Sequence, residues 1–283
     1  GRLLTEPSAG SLAALEYLAL IPKRGRMRKE VASLIATTGD YEQLAGRIDE
    51  NGVRFGGEAL DQKFSGEELS AILCEAAEML LRENDIQKLG TGAMCYMLAG
   101  RYDSVLRLLN EMMFPPNELS QTRQFWIEQT NAFHHHYLNK RTRVIDVLER
   151  DGKLSLIQTS RYMVELNSFF QYLNAGKFSD AEMIADRMQL LPSNRNELAA
   201  KQDKFRSLDD CIKRSFSVFV VGVMRSLHHL HAQTKAGGSR DEVTVQRLGK
   251  LQEKARLLLS FAGMLGVASD ESDTLSQLEA MMI

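Results

Sequence analysis

Ala175-Gly176-Lys177-Phe178-Ser179-Asp180-Ala181-Glu182 closes one helical pattern and opens another. Glycine takes the left-handed backbone that ends a helix without a Cβ clash, and a new helical pattern follows at once. The same order, Gly then a polar residue then an aromatic, stands at Gly39-Asp40-Tyr41 and at Gly100-Arg101-Tyr102. Gly100 and Gly176 each follow Ala, a residue small enough for a tight helix crossing. Each copy reads as the turn of a helical hairpin, with the aromatic packed back between the two helices. A chain of such hairpins stacks them side by side and presents surface rather than a catalytic cleft.

Composition agrees. The 283 residues hold only 5 Pro and 7% aromatics beside abundant Leu, Ala, Glu and Arg, which points to an all-α protein. No alternating strand run bounded by turns stands out. A formal net charge of −2 gives no reason to expect direct nucleic-acid binding. Cys74, Cys95 and Cys211 are odd in number and far apart, which suits free thiols in a reducing compartment. The most apolar run, Phe216 to Met224, is about half of what spans a bilayer, so no transmembrane segment is expected. The opening Gly1-Arg2-Leu3-Leu4 lacks Met and reads as a cut from a longer chain.

The punctuation predicts about a dozen helices. Ser11 caps one that Pro22 stops, and Asn117 caps one running toward Leu138. Residues 51–64, rich in Gly, read as a loop, as does Asp151-Gly152-Lys153. Leu69, Ile72, Leu73, Ala76 and Leu80 recur at helical spacing after Ser65-Gly66-Glu67-Glu68. One long helix covers residues 197–235, and Gly237-Gly238-Ser239 is a linker. The spacing of repeats is irregular, so the expected fold is an irregular α-helical solenoid of stacked antiparallel hairpins. It is expected to occupy residues 1–283, with sub-blocks 1–116 and 117–283.

Little here resembles chemistry. His134, His135 and His136 point about 100° apart on a helix and cannot close on one ion. His228 and His231 share a face, but no further ligand has the right spacing. Gly90-Thr91-Gly92 lacks the third glycine and the preceding strand of a dinucleotide site, and reads as a loop or helix start. Lys23-Arg24-Gly25-Arg26-Met27-Arg28-Lys29 could touch phosphates, acidic protein or an import receptor; after Pro22, a solvated turn is the expectation. The Met281-Met282-Ile283 tail reads as core packing. Phe216, Val218, Phe219, Val220, Val221, Val223 and Met224 make a helix apolar all round, buried by neighbours or by a partner, and Gly222 within it marks a close backbone approach.

The second half resembles a known family. Phe169-Phe170-Gln171-Tyr172, Gly176, Ala181, Ile184 and the Leu190-Leu191-Pro192 stop look like a two-helix unit of the nucleoporin-interacting component family, the α-solenoid scaffold of the nuclear pore's inner ring. Phe205-Arg206, Asp210 and Ile212 are similar to the start of that family's long helix near its end. Ala255-Arg256, Leu258 and Phe261-Ala262-Gly263-Met264 are similar to its terminal signature. The first half agrees mainly in layout.

The resemblance implies the C-terminal part of a structural scaffold in the nuclear pore complex at the nuclear envelope, serving nucleocytoplasmic transport. Its partners would be other nucleoporins, including an amphipathic helix of a small membrane-associated nucleoporin. It implies no enzyme, cofactor or metal. Such a helix lays an apolar face into a groove with a few buried anchors. The candidate anchors are Phe216, Phe219, Val223, Phe261, Met264 and Leu265. The alternative is another helical-repeat adaptor or tethering-complex subunit; an all-α enzyme is the third class.

Overall fold

The computed structural model describes residues 9–83, 85–118, 120–237, 241–266 and 269–282. The start of the chain, Gly238-Ser239 of the expected linker and Ile283 of the tail lie outside the described residues. The first elements are α1 (Ala9–Leu18), α2 (Arg24–Thr38), α3 (Tyr41–Ala45), β1 (Arg47–Ile48), β2 (Arg54–Phe55) and α4 (Glu58–Asp61). Then follow α5 (Gly66–Leu81), α6 (Ile86–Leu98), α7 (Tyr102–Met112), α8 (Gln121–Phe133), a π-helical turn (His134–Leu138), α9 (Arg143–Arg150) and α10 (Ser155–Asn174). After these come α11 (Phe178–Met188), a 3-10 turn (Arg195–Glu197), α12 (Leu198–Arg206), α13 (Asp210–Ala236), α14 (Glu242–Leu265) and α15 (Ser269–Ala280). The chain divides into two compact units, Gly1–Leu108 with Asn131–Ser155, and Leu109–Thr130 with Leu156–Ile283.

The glycine turns form as the sequence predicts. Gly39, Gly100 and Gly176 have φ of 72°, 70° and 71°. At Gly100 the glycine N–H donates to Met97 O at 3.0 Å and the next N–H, from Arg101, to Tyr96 O at 2.9 Å. At Gly176 the same pair runs to Leu173 O and Tyr172 O. These paired bonds satisfy carbonyls that the helix end would otherwise leave open. Gly39 makes a single bond, to Ile35 O. A third turn with the paired bonds stands at Gly152, φ 66°, where the sequence suggested a plain loop.

The aromatics reach further than their own hairpins. Tyr102 is buried and its hydroxyl donates to Gly52 O at 2.8 Å. Phe178 stacks on His229 of α13, with centroids 4.2 Å apart and planes 6° apart.

In the first unit, a capping box starts α5. Ser65 Oγ accepts from the Glu68 N–H, and the Glu68 carboxylate accepts from the Ser65 N–H at 3.1 Å. The expected stripe Leu69, Ile72, Leu73, Ala76 and Leu80 is buried, in a core shared with Val31 and Ile35 of α2 and Cys95 and Leu98 of α6. α6 lies close to α5 at Gly92, where an added Cβ would stand 3.3 Å from Leu81 Cδ2 and 3.4 Å from Ala77 O.

In the second unit, α10 crosses α13 over Gly222. An added Cβ there would stand 2.8 Å from Phe169 Cε1 and 3.2 Å from Phe170 Cε1, so the close approach expected at Gly222 is ring against glycine backbone. Phe169 meets Phe170 and Phe219 edge-on at 5.0 and 5.1 Å. Phe216 continues the cluster to Phe219, Phe205 and Phe261. Such edge-to-face pairs add about 0.5–1.5 kcal/mol each beyond area burial.

Several boundaries differ from expectation. Ser11 does not cap: it lies buried inside α1 and hydrogen-bonds Asp40. Ser120, not Asn117, caps α8, its hydroxyl accepting from the Arg123 N–H at 3.1 Å. The long helix over 197–235 is two helices, because Asp209 accepts from the Cys211 N–H and starts α13 afresh. Residues 51–64 are not a plain loop: β2 pairs antiparallel with β1, Arg47 opposite Phe55, and α4 follows. Gly90-Thr91-Gly92 lies inside α6.

Candidate partner-binding groove

α11, the connection after it, α12 and α14 surround a groove of about 1120 Å³ in the second unit. Asp186, Leu191, Pro192, Lys201, Lys254 and Leu257 are among its lining residues. Small-molecule sites run to roughly 300–1,000 Å³ with mostly apolar walls. This groove exceeds that and mixes aliphatic patches with charges of both signs.

Its shape is held by hydrogen bonds. Lys254 on α14 reaches Glu182 at 3.0 Å and Asp186 at 2.6 Å, both on α11. Burial works to lower the Lys254 pKa; the hydrogen bond to Asp186 and the charge of Glu182 outweigh it and raise the pKa, so the ammonium stays charged. Gln189 sits in the left-handed region at φ 51°, and its carbonyl accepts from Lys201 at 2.9 Å and Lys204 at 3.2 Å. That costs about 1–2 kcal/mol of backbone strain, held by the two lysines. Ser193 donates N–H and O–H to Glu197, which lowers the Glu197 carboxyl pKa. Arg195 and Lys250, both exposed, have no partner among the described residues.

Of the sequence-derived anchors, Phe216, Phe219, Val223 and Phe261 are at most 3% exposed, inside the core of the second unit. The three phenylalanines meet other rings, and Val223 is buried, so none of the four presents an open surface. Met264 is 42% exposed and Leu265 half-buried, at the end of α14. There Gln202 of α12 donates to Met264 O at 3.0 Å. Hydrophobicity alone singles out buried and exposed anchors equally, so four of the six are structural. Lys254 is the residue that the sequence reading passed over. Its signal is position: it falls on the stripe of Leu251, Ala255 and Leu258, where a cation needs carboxylates from a neighbouring helix.

The other candidates are not among the residues that line the groove. His135 and His136 are exposed on the π-helical turn with rings 5.4 Å apart. His231 is buried beside Gln252, and burial lowers both its pKa and that of His228. Among the described residues, no three His, Cys, Asp or Glu side chains stand where they could share a metal ion. Burial pushes the Cys95 thiol up to about 12 and Cys211 to about 11, and raises Cys74, so all three stay protonated near neutral pH. Among the described residues, no helix is long and apolar enough to cross a membrane.

The Nup93/Nic96 family profile matches residues 8–271. Nuclear pore complex protein Nup93 of Danio rerio is 24% identical over 268 residues, covering 89% of this chain and 30% of that protein. The proteins of that name in Xenopus tropicalis and Xenopus laevis are 23% identical over 265 residues, with the same coverage. The chain thus spans about a third of the length of the curated relatives it matches. The crystal structure of Chaetomium thermophilum Nic96 SOL superposes with a TM-score of 0.76 at 12% identity, covering 95% of this chain and 44% of that one. That likeness carries the fold, an irregular α-helical solenoid.

Proposed function

As the chain belongs to the Nup93/Nic96 family, we propose that it forms the C-terminal part of a scaffold nucleoporin in the inner ring of the nuclear pore complex, at the nuclear envelope. In this reading it works by binding other nucleoporins and performs no catalysis. The observation that carries the mode of binding is the groove bounded by α11, α12 and α14. Its aliphatic lining is Leu191, half-buried, with Pro192 and Leu257 buried behind it, and Arg195 and Lys250 are unpaired cations among the described residues. An amphipathic helix with acidic flanks fits both features: its apolar face covers Leu191, and its carboxylates meet the cations. The partner implied by the family resemblance is an amphipathic segment of a small membrane-associated nucleoporin. Met264 and Leu265 would extend the contact along the last turn of α14.

Calorimetric titration of the chain with that amphipathic segment tests the reading. Saturable one-to-one binding that Leu191→Asp weakens at least tenfold, about 1.4 kcal/mol, is the expected result. Circular dichroism must show the variant folded. Phe219→Asp cannot serve, because it would bury an unpaired charge in the core of the second unit. Unaltered affinity in Leu191→Asp would move the site elsewhere. Absence of binding would remove the groove from the proposal and leave the family membership standing.

A further inference from the structure

The basic run is not a neutral connector. Residues 24–29 form the first turns of α2, with Lys23 at the cap position and no side-chain cap on the free amides. No acid stands in that first turn. Cations at a helix N-terminus oppose the macrodipole, so this arrangement weakens the helix that carries it. Glu68 answers Arg24 at 2.6 Å, and Glu30 answers Arg26 at 3.7 Å. Lys23, Arg28 and Lys29 have no partner among the described residues. A Cβ added to Gly25 would meet nothing within 4 Å, so the surface between the cations is open.

Just before the run, the end of α1 exposes what a folded surface usually covers. Tyr17 is 75% and Leu20 76% exposed. The Leu20 N–H bonds Tyr17 O, so the two side chains stand on one face of a continuing helical turn. The turn presents an exposed tyrosine and an exposed leucine just ahead of five cations in sequence, three of them without a partner among the described residues. It matches an anionic lipid surface: apolar tips enter the headgroup boundary, tyrosine sits at the interface, and lysine and arginine meet the phosphates.

We propose that the α1–α2 turn, through Tyr17, Leu20, Lys23, Arg26 and Lys29, is a peripheral docking surface for an anionic membrane. Co-sedimentation of the 283-residue chain with phosphatidylcholine vesicles, with and without phosphatidylserine, tests it. Binding is expected only with phosphatidylserine, and it should fall as salt is raised. At about 1 kcal/mol per cation, Lys23→Gln/Arg26→Gln/Lys29→Gln should lower the partition about a hundred-fold. Tyr17→Ser/Leu20→Ser should lower it about tenfold or more. Helicity of each variant is checked by circular dichroism, and the wild-type salt titration reads the charge dependence without any substitution. Failure to sediment with phosphatidylserine, salt-independent binding, or an unaltered partition in either folded variant would overturn the proposal. So would tighter binding to single-stranded RNA or to an acidic peptide than to the anionic vesicles.

Discussion

The two units bring helices together over glycine in opposite ways. In the first, α6 meets α5 at Gly92, and the nearest side-chain atom is the flexible end of Leu81. In the second, α10 meets α13 at Gly222, and the nearest atom is a ring edge of Phe169. That ring is itself held between Phe170 and Phe219. A leucine can give way by a few tenths of an ångström at small cost. A ring fixed on both sides cannot, so the same small residue is a tolerated convenience in one unit and a steric requirement in the other.

Four substitutions break or sharpen this contrast. Phe261→Ala removes a ring that is 0% exposed at the end of the aromatic cluster and should destabilise the second unit by roughly 3–5 kcal/mol in urea unfolding. An unchanged melting profile would mean that the rings do not hold the unit. Gly222→Ala drives a methyl against Phe169 and should cost about 1–3 kcal/mol, outweighing the gain in helix propensity. Gly92→Ala meets only the yielding Leu81 and the Ala77 carbonyl at contact distance. It should fall within about 0.5 kcal/mol of neutral, on the stabilising side. A loss in Gly92→Ala as large as that in Gly222→Ala would erase the distinction between the units.

The smallest effect is electrostatic and confined to the first unit. The hydrogen bond from Arg24, with that from the Ser65 N–H, holds the Glu68 carboxyl down to about 2 from its ordinary 4.5. A depressed carboxyl stabilises the fold above its unfolded value, so this contribution is complete above about pH 4.5 and fades as pH falls toward about 2. Glu68→Gln should flatten that part of the first unit's acid-unfolding curve and leave the second unit's curve in place. Wild-type and variant curves that superpose would remove the pair from the account.

The contrast was only half legible in the residues. Gly100 and Gly176 announce their turns because glycine there follows a helical pattern and an aromatic follows the glycine. Gly152 forms the same hydrogen bonds with Leu154 in the aromatic's place, and so went unread. Two-residue strands carry no alternation, which hid the ribbon of Arg47–Ile48 and Arg54–Phe55. Asp209 divides what periodicity joins, because the apolar pattern continues across the break at Ser207 and Leu208. Gly222 signalled a close approach, but the identity of the approaching rings needed the fold. The groove was less legible still. Its walls are brought together from α11, α12 and α14, and an apolar run cannot say whether it faces a partner or its own core.

The chain order of the first unit has a consequence for synthesis. Most hairpin contacts are local and can form as soon as both helices have emerged. Yet this unit also holds Asn131–Ser155, made only after the chain has passed through Leu109–Thr130. The Arg143 N–H that donates to Asn51 O, and Val144 in its buried place, arrive late. At about 5–20 residues per second, Gly1–Leu108 waits on the ribosome for roughly 2–9 s before Ser155 follows. During that interval the surface awaiting α9 is open to chaperones, and nascent-chain protection of α5 and α6 should precede that of the Asn51–Gly52 turn.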